Sequence, residues 1–288
     1  MDATPSKDPE AEIAALDPER DYERIAFLLT YQLFPISIEK ALEYALFKTY
    51  AIPSISRVLA GTGEFTERAQ KRYDDTVLLL AEIGENGSGH KRADEALARM
   101  NAIHARFRIR NEDYLYTLST FVFEPIRFLD LYGPRPMTAT EARGWLNAYR
   151  HLGRDMGIED IPDDLDAFRR WREGFEAREM TFAETNRQVA DATVAVLFDL
   201  LGVPRFARRA AERALVAVME PHVADAFGYA PAGAPLRAAV EGGLLLRKAA
   251  LRLAPARRRL RLQTGRRLPT YPGGYAIGRL GPTPFAEG

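Results

Sequence analysis

The stretch NEDYLYTLSTFVFEPIRFLDLY, residues 111–132, decides the fold class of this 288-residue chain. Its middle is apolar on nearly every side, which is typical of a helix buried in the centre of a bundle. Asn111 can cap this helix, and acidic residues in its first turn favour the helix dipole. Glu124–Pro125 predicts a kink, and Arg127 follows Glu124 by three residues, where it can pair with that carboxylate.

Helical patterns with start and stop signals continue on both sides of this segment. We predict helices over residues 37–50, 54–60, 66–83, 91–107, 138–156, 164–178, 181–201, 205–219 and 236–253. Capping boxes mark two starts, Thr138 with Glu141 and Thr181 with Glu184, and the glycine-rich residues 84–89 predict a loop. We find no alternating strand pattern, internal repeat or clear linker. The sequence therefore predicts an all-α fold: a single multi-helix domain with buried central helices and no significant sheet.

The chain divides into three parts by charge and pattern. Residues 1–21 are strongly acidic, and we expect them to be disordered. Residues 22–282 carry the helical patterns and are predicted to form the domain, and residues 283–288 a short tail. The acidic start is unlike a secretory signal, and the longest apolar stretch, residues 25–36, is shorter than the roughly 20 residues that cross a membrane. We therefore expect a cytoplasmic protein.

One segment of the domain is strongly basic. Residues 236–267 carry ten Lys/Arg side chains against Glu241 alone, and leucines are interleaved with them. Such a basic amphipathic segment either lies on an anionic membrane surface, which makes the protein peripheral to the membrane, or packs against the acidic remainder of the chain. The whole chain has 40 basic and 40 acidic residues, and its net charge of zero argues against nucleic acid as a partner.

The residue types exclude several chemistries. The absence of cysteine excludes disulfides, thiolate zinc sites, iron–sulfur clusters and cysteine nucleophiles. The histidines of the chain are His90, His104, His151 and His222. All but His104 have sequence surroundings typical of surface or structural residues. His104 shares a helical stripe with Leu97, Met100 and Phe107, so it is either a core histidine or a metal or haem ligand.

Other polar side chains also lie on apolar helix faces. Arg72 and Thr76 are four residues apart on a stripe that continues into leucines, with Asp75 at its edge. An inward guanidinium requires an anion, which is either a structural carboxylate such as Asp75 or the carboxylate or phosphate of a ligand. On the central helix, the small hydroxyl residues around Thr120 would let a flat cofactor or a neighbouring helix approach closely.

Several motifs occur in the order found in one family of enzymes. They are ALFKTYAIPSISRVLAGTG at 45–63, KRYDDT at 71–76, ARMNAIHARF at 98–107, NEDYLYTLSTFVFEPIRFLDLYG at 111–133, GRDMGI at 153–158 and GGYAIGRLGP at 273–282. With these motifs the chain resembles the MpaB-type oxygenase family from about Tyr22 to Pro282. That family includes fungal ER-bound oxygenases that cleave an isoprenoid chain in mycophenolic acid biosynthesis. It is related more distantly to the rubber oxygenases, or latex-clearing proteins.

The resemblance implies an all-helical catalytic domain. From the rubber oxygenases it also implies haem b held between helices and dioxygen-dependent cleavage of a carbon–carbon double bond. Those enzymes carry an Arg-x-x-Lys-Thr run on the distal side of the haem, which here becomes Arg72 to Thr76 with Asp75 in the lysine position. Their proximal histidine is matched by Leu118. The resemblance thus implies Arg72, Asp75 and Thr76 as catalytic residues.

The resemblance also assigns the cofactor-binding residues. His104 is the imidazole that remains to ligate the haem iron, and Thr120 would contact the cofactor. Arg72 would hold a haem propionate or polarise bound oxygen, and Thr76 would donate a hydrogen bond beside it.

Three hypotheses follow. The first is a haem-dependent oxygenase that uses dioxygen to oxidise or cleave a long apolar substrate, isoprenoid or lipid-like, in a pocket between the helices. The alternative is a haem-free lipid-binding or membrane-associated helical protein that kept the fold and lost the metal. The third is a non-haem metal enzyme that uses His104 with Asp75, Glu124 or Asp113.

Overall fold

The computed structural model describes residues 3–253 and 259–282. The α-helices are α1 (Pro9–Ala15), α2 (Tyr22–Leu28), α3 (Pro35–Thr49), α4 (Pro53–Gly61), α5 (Glu64–Glu67), α6 (Ala69–Asn86), α7 (Lys91–His104), α8 (Asn111–Tyr132), α9 (Ala139–Asp155), α10 (Leu165–Glu179), α11 (Glu184–Leu200), α12 (Arg208–Val218), α13 (Pro221–Ala226) and α14 (Ala234–Leu253). The other helical turns are the π turn Leu29–Leu33 and the 3₁₀ turns Arg205–Ala207 and Ile277–Arg279. Within the described ranges, β pairing is confined to one isolated bridge between Leu268 and Tyr271. The predicted all-α fold without a significant sheet is confirmed.

Helix α8 is the buried centre of the domain, as its sequence predicts. It packs most extensively along α3 and also contacts α9, α10 and α14. Tyr116 and Leu129 on α8 are fully buried, and such burial stabilises the fold by about 1.5–3 kcal/mol per large apolar side chain. The helix continues through Pro125, and Glu124 pairs with Arg127 at 3.5 Å, so the predicted ion pair is confirmed.

The two predicted capping boxes have different outcomes. Thr138 accepts a hydrogen bond from the backbone N–H of Glu141, and the reciprocal bond is also made, so the box at the start of α9 is confirmed. The second prediction is wrong, because Ala183 occupies the N-cap of α11. The backbone carbonyl of Thr181 instead accepts a hydrogen bond from Asn186 Nδ2 at 2.9 Å. A buried amide thus holds this segment in another conformation.

Two further boundaries shift for similar reasons. Asn111 does not cap α8, since Arg110 occupies that position. The Asn111 side chain instead pairs with the backbone of Glu159, donating at 3.1 Å and accepting at 2.9 Å. The predicted loop 84–89 is shorter than expected, because α6 runs on to Asn86. Tertiary contacts override the local signals in the first case.

The expectation of a disordered acidic N-terminus is wrong for the described residues. Helix α1 forms there, and its Ile13 is 2% exposed within the main core. Arg24 Nε lies 2.6 Å from Glu12 Oε1. The Gln32 side chain donates to and accepts from the backbone of Ser6. One buried apolar residue and paired polar groups therefore order a segment whose composition predicts disorder.

Some predictions fall on residues outside the described ranges. They are the arginines Arg257 and Arg258 of the basic segment and the tail 283–288. Within the described ranges, no single helix combines the length and apolarity that a membrane crossing requires. Tyr22–Leu33 and Pro35–Thr49 meet that requirement only when taken together, and they are bent by 108°.

Candidate functional site

An apolar cavity of about 250 Å³ lies between α2, α3, α6, α7, α8 and α9. Each of these helices contributes at least one side chain to its wall, among them Phe27, Leu46, Leu80, Leu97, Phe121 and Tyr149. Concave sites of mainly apolar and aromatic lining are typical of pockets for small apolar molecules. The cavity is therefore the place where the fold offers room to a ligand.

His104 is the last residue of α7, and one of its ring nitrogens is buried. Its ring meets the Tyr114 ring edge to face, with 5.6 Å between the centroids. Its Nδ1 atom is buried and has no hydrogen-bond partner among the described residues. Burial, helped by the positive charge of Arg72, lowers the pKa of His104 to about 4. The imidazole is therefore neutral at physiological pH, which is the form that ligates metals.

Arg72 and Thr76 lie together on α6, next to the cavity. The Arg72 guanidinium donates to Thr76 Oγ1 and lies 5.7 Å from the centre of the Phe65 ring. In the part of the chain that the structure describes, no carboxylate lies within 4 Å of Arg72. Thr76 lines the cavity and donates its own hydroxyl proton to the Arg72 carbonyl at 2.8 Å. Asp75 is therefore not the anion that pairs with Arg72. The Arg72 guanidinium is available to a carboxylate or phosphate of a ligand.

Asp75 points to a different part of the fold. It is buried, and it accepts hydrogen bonds from the Tyr271 hydroxyl and from Lys71 Nζ, the latter at 2.7 Å. Tyr271 belongs to the C-terminal strap, the name used here for residues 259–282. Asp74, beside it, accepts from the Thr270 backbone at 3.0 Å. Asp75 therefore holds the strap on α6, and it is not among the residues that line the cavity.

Thr120 and Leu118 on α8 are packed away from the cavity. Thr120 is fully buried and donates to the carbonyl of Thr117 at 2.8 Å. Leu118 fills the place matched to the proximal histidine, and a Cβ added to Gly153 would come within 2.7 Å of Leu118 Cδ2. Helices α8 and α9 are therefore in close contact here. The structure brings Arg72 close to Thr76 and His104, but of these three residues Thr76 alone is among those that line the cavity. Thr120 and Asp75 do not line it either.

Sequence reasoning missed His151, which lines the cavity on α9. Its ring stacks on Tyr22, with 4.2 Å between centroids and 10° between planes. Its arginine neighbours in the sequence predict a surface or structural residue. The sequence did carry a signal, namely the apolar residues Ala148 and Leu152 on the same helical turn as His151. Both of them also line the cavity.

Sequence reasoning also missed most of a buried group of charges, here called the Lys48 cluster. Its members are Lys48 and Tyr44 on α3, Glu124 and Arg127 on α8, Arg172 and Glu176 on α10, and Glu220 and His222 at the start of α13. Lys48 Nζ lies 3.1 Å from a carboxylate oxygen of each of the three glutamates. Arg172 lies 3.2 Å from Glu124 Oε1. The pattern predicted only the pair on α8.

The charges of the Lys48 cluster stabilise one another. Burial disfavours the charged carboxylates, but His222, Lys48 and Arg172 outweigh it and lower the pKa of Glu176 to about 2. The pKa of Glu220 is likewise lowered to about 2 against burial, by Lys48 and Arg127. Burial also opposes the ammonium of Lys48, yet the glutamates raise its pKa. The cluster is therefore a set of mutually paired ions.

The residues named for a non-haem metal site do not come together. Among the described residues, no group of three or more His, Asp or Glu side chains is placed to hold a metal ion. Asp113 is bonded to Arg110 and Ser54, and Glu124 belongs to the Lys48 cluster. This arrangement is unlike the two histidines and one carboxylate that non-haem iron uses.

The described residues thus form an all-α domain with an apolar cavity between its helices. The sequence model of the family described as ER-bound oxygenase mpaB/B′/rubber oxygenase, catalytic domain, matches residues 42–256. This chain belongs to that family.

Named fungal relatives are similar over part of their length. The "ER-bound oxygenase mpaB" of Penicillium roqueforti (strain FM164) is 34% identical over 182 residues, which cover 57% of this chain and 61% of the relative. The "ER-bound oxygenase mpaB′" of Penicillium brevicompactum is 32% identical over 194 residues, covering 60% of this chain and 46% of the relative. The matches thus span about half of these relatives.

Proposed function

We propose that this chain is the catalytic domain of an oxygenase that uses dioxygen to oxidise or cleave a long apolar substrate, isoprenoid or lipid-like. The apolar cavity is the observation that carries this proposal, because it offers a water-poor site to such a molecule. The relatives' names, which describe them as oxygenases, support the type of reaction. Because those relatives are called ER-bound, we also propose that the protein acts in the cytoplasm at a membrane surface.

We propose haem b as the cofactor, held by His104 and Arg72, which lie close to each other but are not among the residues that line the cavity. Haem requires a single protein ligand to its iron, and the neutral imidazole of His104 has a buried nitrogen without a partner among the described residues. Arg72, with no carboxylate within 4 Å in the described ranges, would hold a propionate. When bound, haem supplies the dioxygen chemistry that side chains lack.

The chain's own residues would bind and orient the substrate. Phe121 and Tyr149 offer rigid aromatic walls, and Leu97 lies seven residues before His104 on the same face of α7. Thr76 contacts both the cavity and Arg72, so it joins the substrate space to the cationic side of the site. These apolar walls exclude water from the reacting atoms.

The decisive experiment is an absorption spectrum, with iron analysis, of protein from haem-supplemented cells. We expect a Soret band and nearly one iron per chain, both lost in His104→Ala. His151→Ala is the matched control, because His151 lines the cavity and also carries an imidazole. Loss of haem in His151→Ala alone would assign the iron to His151. A featureless wild-type spectrum with no iron would overturn the haem mechanism.

One observation favours the second candidate, a haem-free lipid-binding protein. Leu118 occupies the position matched to the proximal histidine of the rubber oxygenases and is packed tightly against Gly153. A protein that lacks haem but binds a fluorescent isoprenoid or fatty acyl probe in the cavity would support this candidate. Dioxygen consumption on addition of an unsaturated isoprenoid would contradict it.

A further inference from the structure

Helix α14 turns an apolar face to solvent. Leu245, Leu246 and Leu253 are 56%, 74% and 89% exposed, and α14 has no buried residue. Most other exposed positions between residues 238 and 250 are alanine or glycine, with Glu241 as the charged exception. A continuous apolar face on a surface helix marks a site of interaction with a partner or a membrane.

Three cations of α14 reach toward the end of α8. Lys248 Nζ donates to the carbonyl of Leu131 at 3.2 Å, and Arg247 Nη1 donates to that of Tyr132 at 3.3 Å. Arg252 Nε donates to the carbonyl of Pro134 at 3.0 Å. Carbonyls at a helix C-terminus attract cations, so these bonds fix which side of α14 faces outward. The leucines are therefore turned outward, and Arg252 remains exposed beside them.

Helix α14 itself is cationic, because it carries four basic side chains against Glu241 alone. Of these, Arg252 is exposed, and it follows Leu245 by seven residues, which places it at the edge of the leucine face. An anionic lipid surface attracts basic residues that lie close to it. A second copy of the chain is a poor occupant, since a two-fold contact would bring this basic segment against itself.

We propose that α14 is a membrane anchor whose outer face, Leu245, Leu246 and Leu253, enters the headgroup region of an anionic bilayer. The helix then lies in the plane of the surface, with its leucines down and its cations at the headgroup level. This inference specifies the membrane association proposed above. It does not depend on haem or on oxygenase activity, because vesicle binding is measured without substrate.

The test is sedimentation of the full chain with vesicles of phosphatidylcholine containing about one third phosphatidylserine. We expect wild-type protein to pellet with these vesicles and to stay in solution with phosphatidylcholine alone. Leu246→Glu should weaken binding about tenfold or more, because it replaces a leucine that enters the bilayer with a charged side chain. Raising the salt from about 0.05 M to about 0.5 M should also weaken binding.

The matched control is Phe182→Glu, which places the same charge at an exposed apolar residue outside α14. This variant should bind vesicles as the wild type does, and circular dichroism should show equal helix content in all three proteins. The anchor is refuted if wild-type protein stays in solution with anionic vesicles, or if Leu246→Glu binds as tightly as the wild type. A dimer in light scattering that Leu246→Glu dissolves would refute it in favour of a second copy.

Discussion

Polar side chains are buried both around His104 and in the Lys48 cluster, but the two regions differ in whether these side chains are paired with opposite charges. In the Lys48 cluster, three cations and three carboxylates are mutually paired. Close to Arg72, His104 keeps a buried nitrogen without a partner among the described residues, and Arg72 has no carboxylate within 4 Å there. Buried polar groups are usually satisfied, so the exceptions point to a ligand. Arg172 Nε in the Lys48 cluster also lacks a hydrogen bond, but it lies 3.9 Å from Glu176 Oε1. Paired charges therefore stabilise the cluster, and the lack of a paired charge distinguishes His104 and Arg72.

The largest effect is expected from breaking the cluster at its centre. Lys48→Met leaves three buried glutamates with too few cations, and we expect the free energy of unfolding to fall by about 3–5 kcal/mol. Urea unfolding followed by circular dichroism measures this loss. Lys40→Met, which removes an exposed lysine paired with Glu43 on the same helix, should cost less than about 1 kcal/mol. Equal losses in both variants would contradict the comparison.

The pH dependence of stability separates the two regions. The pKa of His104 falls from 6.5 to about 4 on folding, so the unfolded chain takes up the proton first. Stability is therefore lost as the pH falls from about 6.5 to about 4, by about 1–3 kcal/mol. His104→Gln should remove this step. Urea unfolding of the haem-free protein at a series of pH values gives the test, and an unchanged profile in the variant would contradict it.

The Lys48 cluster titrates in a more acidic window. Glu176 and Glu220 have pKa values lowered from 4.5 to about 2, so their stabilisation is complete above about pH 4.5 and is lost as the pH falls toward 2. Glu220→Gln should flatten this acidic part of the profile and leave the His104 step in place. A variant that loses both steps together would show that the two regions unfold as one electrostatic unit.

A smaller effect is expected at Asp75, and it tests the two interpretations of that residue. Asp75→Asn weakens the bonds to Lys71 and Tyr271, so we expect about 1–2 kcal/mol less stability. Because Asp75 holds the strap, haem content and turnover per folded molecule should stay close to those of the wild type. A loss of turnover at full stability would instead support the catalytic role that the resemblance implies.

The smallest effect on stability is expected from filling the cavity. Leu97→Trp places a larger ring in the apolar space, and affinity for an isoprenoid probe should fall about tenfold with less than about 1.5 kcal/mol change in stability. Leu59→Trp, on α4 in a separate core, is the matched control for side-chain size. Equal probe affinity in both variants would place the ligand elsewhere.

Much of the fold was predictable from local patterns. The apolar run of α8, the capping box at Thr138 and the pair of Glu124 with Arg127 all depend on residues close together in the chain. The predictions that are wrong depended on distant partners. Asn111 is bonded to Glu159, and the carbonyl of Thr181 is bonded to Asn186. A local signal cannot reveal a competing partner that the fold brings near.

For the candidate site too, local patterns were predictable and contacts between distant residues were not. The stripe on α7 predicted that His104 faces the interior, and the motifs predicted the family. The sequence could not show that Asp75 is bonded to Tyr271 in the strap, nor that His151 lines the cavity.

The sequence by itself determined the helices, the buried centre and the family, because these follow from periodicity, end signals and motifs along the chain. Only the tertiary structure decided which buried charges are paired. Lys48 meets Glu176 and Glu220 from segments more than a hundred residues away. Only the tertiary structure also decided which face of α14 looks outward. Pairing and exposure are properties of distances in space, which the order of residues does not contain.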